Sequence, residues 1–497
     1  MRTGARWGIV TAWCAALMLV AVGCASTSSS DPSQAVVDPP AESGPEVGTD
    51  GTALPRSSES AEGRQAALGA GPSGAGSSSA GPSGAIGEVV HGQGITADEV
   101  KIGFWLLDKG NAGQVLGCEG NSNCATGDEN VDLAALVKWV NANGGLGGRE
   151  LVPVVYHTDA LSSSWAAQAQ AACTYFTEDQ KVFAVVSEGE AGRPFMAPCV
   201  ADRGIPVIDP AHWPWDRTAR KPLAPFFYQP QRADPERWMA AYVEELWRQG
   251  FFAEDSTIGL FRFDAPPFTR VTENVLKPRL AKHGLSLAEE AVLTTPPSVG
   301  AYSDMNAQIG NAIVRFRNAG VDRVLFFETM SEITLFYFPQ AQAQGYYPRY
   351  GVSSMQYLDS ARQNATPRQL AGAVGIGWGP FYDVAPSNDA GNSTGAKRCA
   401  KALQDGGAEP GAGRNPQCDT IFFLKAVLDR AVRLELDLTP SGFRQAVHAV
   451  GNSFEPASTF GASFSAGRHQ GVSHYRRIAY EAGCECFAYR GKTRPLP

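Results

Sequence analysis

Residues 391–395 read Gly-Asn-Ser-Thr-Gly and fit the G-x-S-x-G pattern, in which the serine acts as a nucleophile. That pattern requires a strand that runs directly into it and a helix that leaves it. Here a turn-rich stretch, residues 386–389, comes first. We therefore do not expect Ser393 to be catalytic.

Near the end of the chain, His469 and His474 precede Cys484 and Cys486. These residue types bind zinc or copper, although their spacing matches no standard zinc pattern. A metal site is an alternative to disulfide bonding, but we expect no metal. Residues 144–148 are rich in glycine, yet they follow a predicted helix and precede a strand, the reverse of the order in a phosphate-binding loop. The sequence therefore predicts no enzyme and no cofactor.

Ten cysteines are present, and two of them, Cys14 and Cys24, lie near the start. The other eight fall in neighbouring couples: Cys118/Cys124, Cys173/Cys199, Cys399/Cys418 and Cys484/Cys486. An even number of cysteines outside the cytoplasm predicts disulfides, and we expect each couple to pair. Cys484 and Cys486 are so close in sequence that each could instead pair elsewhere.

The N-terminal segment is typical of an exported protein. Arg2 and Arg6 precede an apolar run over residues 7–22, the pattern of a secretory signal. Ala21-Val22-Gly23-Cys24 resembles a bacterial lipoprotein box. The resemblance implies a signal peptide over residues 1–23, acylation of Cys24 and anchoring at the outer face of the cytoplasmic membrane. An ordinary signal with an incidental Cys24 is the alternative.

Residues 25–91 are rich in Ser, Gly, Ala and Pro, and contain two arginines and eight acids. Such a segment cannot bury enough apolar surface to fold, so we predict a disordered tether over residues 24–93. The whole chain carries a net charge of −8. This acidic balance argues against a nucleic-acid-binding protein. No apolar run reaches the ~18 residues that would span a membrane.

From residue 94 onward, apolar strands alternate with amphipathic helices. Leu133, Leu136, Val137 and Val140 recur at helical spacing after a Thr126-x-x-Glu129 capping box, for example. Regular alternation predicts α/β architecture with parallel sheets. The same alternation of strands and helices begins again after the proline-rich residues 222–235, which predicts two lobes. We assign residues 94–228 and 370–452 to the first lobe, and 229–369 and 453–497 to the second.

One stretch makes a family recognisable. Residues 137–151 contain the string Asn-Ala-Asn-Gly-Gly-Leu-Gly-Gly-Arg-Glu-Leu, and with residues 100–103 they resemble type I periplasmic binding proteins of the leucine/isoleucine/valine-binding branch. The resemblance extends from about residue 96 to 433. It implies two Rossmann-like lobes in a Venus-flytrap arrangement, joined by three crossings, with a ligand in the cleft between them. It also implies a bridge between Cys173 and Cys199.

In parallel sheets, ligands bind beyond the carboxyl ends of the strands. In the amino-acid binders of this family, a serine after the third strand and an Ala-x-Thr after the fourth hold the ligand carboxylate. Ser187 and Ala211 match these positions, but the threonine is missing, which puts amino-acid specificity in doubt. The predicted first-lobe ligand residues are Trp105, Ser187, Glu188, Gly189, Ala211, His212 and Trp213.

From the second lobe, we predict Glu328, Thr329, Ser353 and Trp378 as ligand residues. Glu328 could meet a ligand ammonium group. Alternatively Glu188, Glu190 and Glu328 are solvated acids that cap the helices after them. The aromatic residues could line the cleft or pack in the cores.

The sequence thus predicts a lipid-anchored solute-binding protein, with a small-molecule ligand and the permease subunits of an ABC importer as its partners. The ligand could be an amino acid, an amide, or an aromatic or short-chain acid. A sensor that reports its ligand to a membrane partner is the main alternative, and a lipoprotein enzyme is a third.

Overall fold

A computed structural model describes residues 91–108, 128–159, 161–187, 194–385, 393–411 and 414–497. These residues form a five-stranded sheet with the order β2-β1-β3-β4-β5 and a seven-stranded sheet with the order β12-β11-β10-β9-β8-β6-β7. The strands of the first sheet are β1 (Glu99–Asp108), β2 (Glu150–Asp159), β3 (Ala184–Ser187), β4 (Val207–Ile208) and β5 (Phe227–Tyr228). The strands of the second sheet are β6 (Ile258–Phe263), β7 (Leu287–Leu293), β8 (Arg323–Phe327), β9 (Arg349–Ser353), β10 (Val374–Gly377), β11 (His474–Glu481) and β12 (Cys486–Pro495).

Helices precede and follow these strands. Those packed on the first sheet are α1 (Glu129–Ala142), α2 (Trp165–Thr174), α3 (Met196–Asp202), α4 (Arg217–Arg220), α13 (Thr394–Gly406), α14 (Asn415–Arg433) and α15 (Pro440–Val450). Those that follow the crossing to the second sheet are α5 (Pro235–Arg248), α6 (Pro266–Val271), α7 (Lys277–Lys282), α8 (Tyr302–Asn318), α9 (Glu332–Ala343), α10 (Leu358–Ala361), α11 (Pro367–Leu370) and α12 (Pro380–Asp383). We call each sheet with its helices a lobe.

Parallel pairing explains the apolar strands of the first lobe. Phe104 lies between Val155 on β2 and Val186 on β3, and all three strands run in the same direction. Helices cover both faces of a parallel sheet, so its strands are apolar on both sides. Ile102 and Phe104 pack toward α14 and α15, whereas Trp105 packs on the opposite face.

Local signals set the ends of α1. The predicted cap, Thr126, lies outside the described residues. In the structure Asp128 is the N-cap, and its side chain accepts a hydrogen bond from the Asn130 N–H. After the helix, Gly144 and Gly145 have φ values of 86° and 64°. Glycine adopts such left-handed backbone without steric cost, which lets the Gly145 N–H close the helix on the Val140 carbonyl.

The chain crosses between the lobes three times, after β5, after α12 and after α15, as the resemblance implied. One predicted assignment was wrong. The strand near Val374 was placed in the first lobe, but β10 pairs with β9 and β11 in the second sheet. The return to the first lobe begins only with α13, whose Cys399 and Leu403 belong to the first-lobe core. A short apolar strand cannot reveal which sheet it joins, because its pattern is the same in both.

Disulfides join Cys173 to Cys199, Cys399 to Cys418 and Cys484 to Cys486. The first links α2 to α3, and the second links α13 to α14. The third closes the β11–β12 hairpin. Cys118 and Cys124 lie outside the described residues. Among the residues that the structure covers, no helix is long and apolar enough to cross a membrane.

Candidate functional site

The loop after β4 forms the centre of the candidate site, and a buried acid organises it. Asp209 has no exposed surface. Its carboxylate accepts hydrogen bonds from the Ala211 N–H at 2.7 Å, from Trp215 Nε1 at 2.8 Å and from Ser187 Oγ at 3.4 Å. Gln229, on the first crossing, donates a fourth from its side-chain amide at 3.2 Å. Asp209 thus holds together the ends of two strands and a crossing.

This arrangement changes the interpretation of two predicted ligand residues. Ser187 and Ala211 occupy the expected positions after the third and fourth strands, but both donate to Asp209. The protein's own carboxylate therefore takes the donors that we expected to hold a ligand carboxylate. Burial raises the pKa of Asp209 to about 6, against the opposing effect of its hydrogen-bond donors and of Arg232.

His212 is the predicted residue that the structure places most clearly between the lobes. Its ring lies edge-on to Tyr357 at 4.6 Å and to Tyr382 at 5.3 Å, both from the second lobe. The two tyrosine rings stack on each other at 3.9 Å. The side chain is only 4% exposed, and neither ring nitrogen has a hydrogen-bond partner among the residues that the structure describes. Burial, and then the charge of Arg232, hold the pKa of His212 well below its usual value, so the ring is neutral at physiological pH.

Arg232 supplies a buried positive charge to this cluster. Its Nε donates to the Pro210 carbonyl at 2.6 Å and to the Ala211 carbonyl at 3.2 Å. Its guanidinium carbon lies 6.0 Å from the centre of the Tyr382 ring. Within the described part of the chain, no acid lies within salt-bridge distance of Arg232. Gln231 beside it is also buried, with neither amide atom paired. We call His212, Arg232, Tyr357 and Tyr382 the interlobe cluster.

The same loop makes direct contacts between the lobes. Trp213 is 6% exposed, and its ring meets Phe268 of α6 edge-on at 5.4 Å. Three residues later, Asp216 accepts two hydrogen bonds from Arg270, at 2.5 and 2.7 Å. These contacts join the first-lobe loop to the second lobe, so the structure has the lobes closed on each other at this point.

Glu328 follows β8 and is fully buried, contrary to the alternative that it is a solvated acid. Its Oε2 accepts from the N–H groups of Ile333 at 2.5 Å and Thr334 at 3.1 Å, in the first turn of α9. Its other oxygen, Oε1, has no partner in the described ranges. Burial raises the pKa of Glu328 to about 8. It is therefore mostly protonated at neutral pH, and a protonated acid is a poor partner for an ammonium group. Thr329 is also buried and donates to Glu332.

Trp105 and Trp378 are core residues, which corrects their predicted role in the cleft. Trp105 is fully buried, and its Nε1 donates to Thr158 on the neighbouring strand. Trp378 packs against Trp238 of α5 at 5.4 Å. Their apolar surroundings satisfy both rings without a ligand. Sequence alone could not separate core aromatics from cleft aromatics at the ends of buried strands.

Ser353 is buried and forms a capping box with Gln356, whose Oε1 accepts from the Ser353 N–H at 2.7 Å. The Nε2 of Gln356 has no partner. This capping box positions Tyr357, which follows in left-handed backbone at φ 43°. The predicted residues Glu188 and Gly189, and also Glu190, lie outside the described residues.

The residues of the possible metal site have other partners. Cys484 and Cys486 are joined to each other. The Nδ1 of His469 lies 3.1 Å from the Phe227 carbonyl, and that of His474 lies 2.8 Å from Ser473 Oγ. Across the described ranges, no group of three or more His, Cys, Asp or Glu side chains could hold a metal ion.

Sequence reasoning missed Arg232, Tyr357 and Tyr382. Arg232 lies within the proline-rich crossing, where a charged residue between two lobes was a usable signal. Tyr357 and Tyr382 come a few residues after β9 and β10. Sequence reasoning considered only residues directly at the strand ends. Tyr357 and Tyr382 lie several residues further along, and they reach the interface because the chain turns after each strand.

Comparisons with known proteins agree with the fold. A family model described as periplasmic binding protein matches residues 127–483. The chain belongs to the periplasmic binding protein family. This membership places it among extracytoplasmic binding proteins and agrees with the prediction that it is not an enzyme. A search of curated proteins gave no match.

Solved structures share the fold at low sequence identity. A solute-binding protein of an ABC transporter from Rhodopseudomonas palustris BisB5, in complex with 3,4-dihydroxybenzoic acid, superimposes with a TM-score of 0.57 at 13% identity, covering 80% of this chain and 98% of that one. A fatty-acid ABC transporter substrate-binding protein from Thermomonospora curvata gives 0.54 at 16% identity, covering 82% and 94%. The branched-chain amino acid transporter protein LivJ from Streptococcus pneumoniae, in complex with isoleucine, gives 0.52 at 15%, covering 80% and 99%. Since the three proteins have different ligands, the shared fold does not select a ligand class or the leucine/isoleucine/valine branch.

Proposed function

We propose that this protein is an extracytoplasmic solute-binding lipoprotein that captures a small ring-bearing carboxylic acid between its lobes and delivers it to an ABC importer. One observation carries the proposal. His212 is buried between two tyrosines of the opposite lobe, and within the described part of the chain both of its ring nitrogens are unpaired. A buried polar group without a partner costs about 1–3 kcal/mol, and a ligand between the lobes would supply that partner.

Aromatic side chains favour a ring in the ligand. His212, Tyr357 and Tyr382 present ring faces and edges in contact with one another. A planar ligand ring can replace these contacts as the lobes open and close again around it, by stacking or edge-on packing. The neutral state of His212 fits this role, because its nitrogens can donate to or accept from polar substituents on the ring.

Arg232 favours a carboxylate. Its charge is buried, and among the described residues its hydrogen-bond partners are neutral: the carbonyl oxygens of Pro210 and Ala211 and the Tyr357 hydroxyl. A ligand carboxylate would complete a charge-assisted hydrogen bond there. An α-amino acid fits less well, because Asp209 already takes the donors of Ser187 and Ala211, and because Glu328 is buried and mostly protonated.

Lobe closure supplies the mechanism. A ligand shifts the balance between open and closed lobes only as far as its contacts differ between the two states. In this site the difference is large, since His212 and Arg232 come from the first lobe and its crossing, while Tyr357 and Tyr382 come from the second. The lipoprotein-like sequence at Cys24 supports anchoring next to a membrane transporter, and solved proteins of this fold serve ABC transporters.

The test uses the mature, disulfide-intact protein with benzoate, 4-hydroxybenzoate, hexanoate and isoleucine. We expect the two benzoates to raise the melting temperature, and calorimetry to give saturable binding. Arg232→Gln should weaken benzoate binding by about 10–100-fold, since a hydrogen bond to a charged group is worth about 1.5–3 kcal/mol.

Arg315→Gln is the matched control. Arg315 lies on α8, half-exposed and paired with Glu289, so its loss removes the same charge away from the interlobe cluster. Binding by this variant should equal the wild type. Stabilisation by isoleucine alone, or benzoate binding that Arg232→Gln leaves unchanged, would contradict the proposed ligand class.

A further inference from the structure

A second cavity lies apart from the interlobe cluster. Its volume is about 630 Å³. It is lined by the start of α13, by the crossing that follows α15, and by the ends of the β11–β12 hairpin. Phe454 and Ala462 on its wall belong to the first-lobe core, whereas Leu496 belongs to the core that contains the second sheet. The cavity therefore bridges the two lobes beside two of their crossings.

A buried hydroxyl in this cavity has no partner. Thr459 lines the wall and is only 5% exposed, and its Oγ1 makes no hydrogen bond to the described residues. The neighbouring Ser458 is fully satisfied by comparison, because its N–H donates to Asp419 at 2.9 Å and its hydroxyl also donates there. The structure thus pairs the Ser458 hydroxyl internally and leaves the hydroxyl of Thr459, a residue that lines the cavity, without a partner among the described residues.

The surroundings of Thr459 favour an anion. Thr394 and Gly395 in the first turn of α13 line the cavity, and the N-terminus of a helix attracts negative charge. Arg468 and His474 line it as well. Of the described lining residues only Glu455 is acidic, and its side chain is exposed at the surface.

Further cations lie just outside the wall. Arg398 donates to the Glu455 carbonyl at 2.9 Å, and the Arg476 guanidinium lies 5.7 Å from the centre of the Phe460 ring. The buried Asp419 does not offset them at the cavity, because it faces the Ala457 and Ser458 N–H groups. Positive potential at an enclosed wall raises the local concentration of anions.

We infer that this cavity is a second ligand site, which binds a small solute through an oxyanion group, either a carboxylate or a phosphate. The oxyanion accepts hydrogen bonds from the Thr459 hydroxyl and from the first turn of α13, and its charge is balanced by Arg468. Phe454 and Phe460 leave room for a short apolar portion. Since the lining comes from both lobes, occupation of this site is coupled to their relative position.

The experiment titrates the mature, disulfide-intact protein with inorganic phosphate and, separately, with succinate, against chloride at the same ionic strength. We expect one of the two oxyanions to give saturable heat and a rise in melting temperature that chloride does not reproduce. The phosphate and succinate arms identify which oxyanion the site takes.

Variants locate the binding. Arg468→Gln should weaken oxyanion binding at least tenfold, and the isosteric Thr459→Val several-fold. Arg490→Gln removes the same charge from an exposed arginine paired with Glu481 and should have no effect. Arg232→Gln, which removes the cation of the interlobe cluster, should leave the oxyanion effect in place.

Three results would overturn the inference. The first is an equal rise in melting temperature with chloride and with both oxyanions. The second is saturable oxyanion binding that persists in both Arg468→Gln and Thr459→Val. The third is oxyanion binding that disappears in Arg232→Gln. The melting temperature of each variant in chloride shows that it is folded, so that a loss of binding is not a loss of structure.

Discussion

Asp209 in the first lobe and Glu328 in the second each come directly after a strand, and the two acids have different roles. Each acid follows a buried parallel strand, and each is fully buried. Asp209 gathers donors from β3, from its own loop and from the first crossing. Among the described residues, Glu328 accepts only from the first turn of the helix that follows it. A residue at a strand end thus becomes part of an interlobe site only when its loop faces the other lobe.

The pKa values of the two acids follow from their partners. Burial raises the pKa of Glu328 to about 8, whereas that of Asp209 rises only to about 6. More donors, including two side-chain N–H groups, and the nearby Arg232 charge stabilise the ionised form of Asp209. Glu332 places a like charge beside Glu328, which raises the pKa of Glu328 further. Asp209 is therefore mostly ionised at neutral pH and accepts the hydrogen bonds that connect its loop to β3 and the first crossing. Glu328 is mostly protonated and caps the helix that follows it.

Truncation of the two acids should have unequal effects. Asp209→Ala leaves donors from four residues without an acceptor, so we expect the free energy of unfolding to fall by about 3–4 kcal/mol. Glu328→Ala removes a local cap and should cost about 1–2 kcal/mol. Urea denaturation followed by circular dichroism measures both. Equal losses in the free energy of unfolding would show that the hydrogen-bond network of Asp209 contributes no more to stability than the helix cap of Glu328 does.

The pH dependence should separate the same two acids. A carboxyl whose pKa is raised by folding makes the folded state less stable as pH rises from its unfolded pKa to its folded pKa. For Glu328 this window runs from about 4.5 to about 8, and for Asp209 from about 3.8 to about 6. The slope is at most about 1.4 kcal/mol per pH unit for each group.

Urea unfolding at pH 5, 6, 7 and 8 tests this. Glu328→Gln imitates the protonated acid, so its stability relative to wild type should increase with pH up to pH 8. For Asp209→Asn any such increase should end near pH 6. A relative stability of Glu328→Gln that stays flat between pH 6 and 8 would contradict the raised pKa.

The smallest expected effect concerns the contact between the first-lobe loop and the second lobe. Arg270→Gln removes the pair with Asp216, in which Arg270 is about one-third exposed. A partly exposed pair is worth about 0.5–1 kcal/mol, so ligand binding should weaken about 2–5-fold as open lobes become more populated. Small-angle scattering without ligand should show a larger radius of gyration. Arg315→Gln, which breaks a pair within one lobe, should leave both quantities unchanged.

Much of the fold follows from local pattern. The helical spacing of Leu133, Leu136, Val137 and Val140 predicted the helix Glu129–Ala142, and the alternation of strands and helices predicted two α/β lobes. The placement of β10 failed for a physical reason, since a four-residue apolar strand fits either sheet equally well. Site prediction depended on the rule that ligands bind beyond strand ends. That rule selected His212, which the structure places against Tyr357 of the second lobe, and also Trp105 and Trp378, which pack in a hydrophobic core; a ligand contact by any of them stays a prediction.

By itself, the sequence determined the two α/β lobes and the pairing of three neighbouring cysteine couples, because apolar periodicity and short loops act over a few residues. Only the tertiary structure decided that Asp209 turns inward onto Ser187, and that Tyr357 and Tyr382 meet His212 and Arg232. These residues are separated by up to 170 positions, from 212 to 382. Their contact depends on how two separately folded lobes pack, which no local pattern encodes.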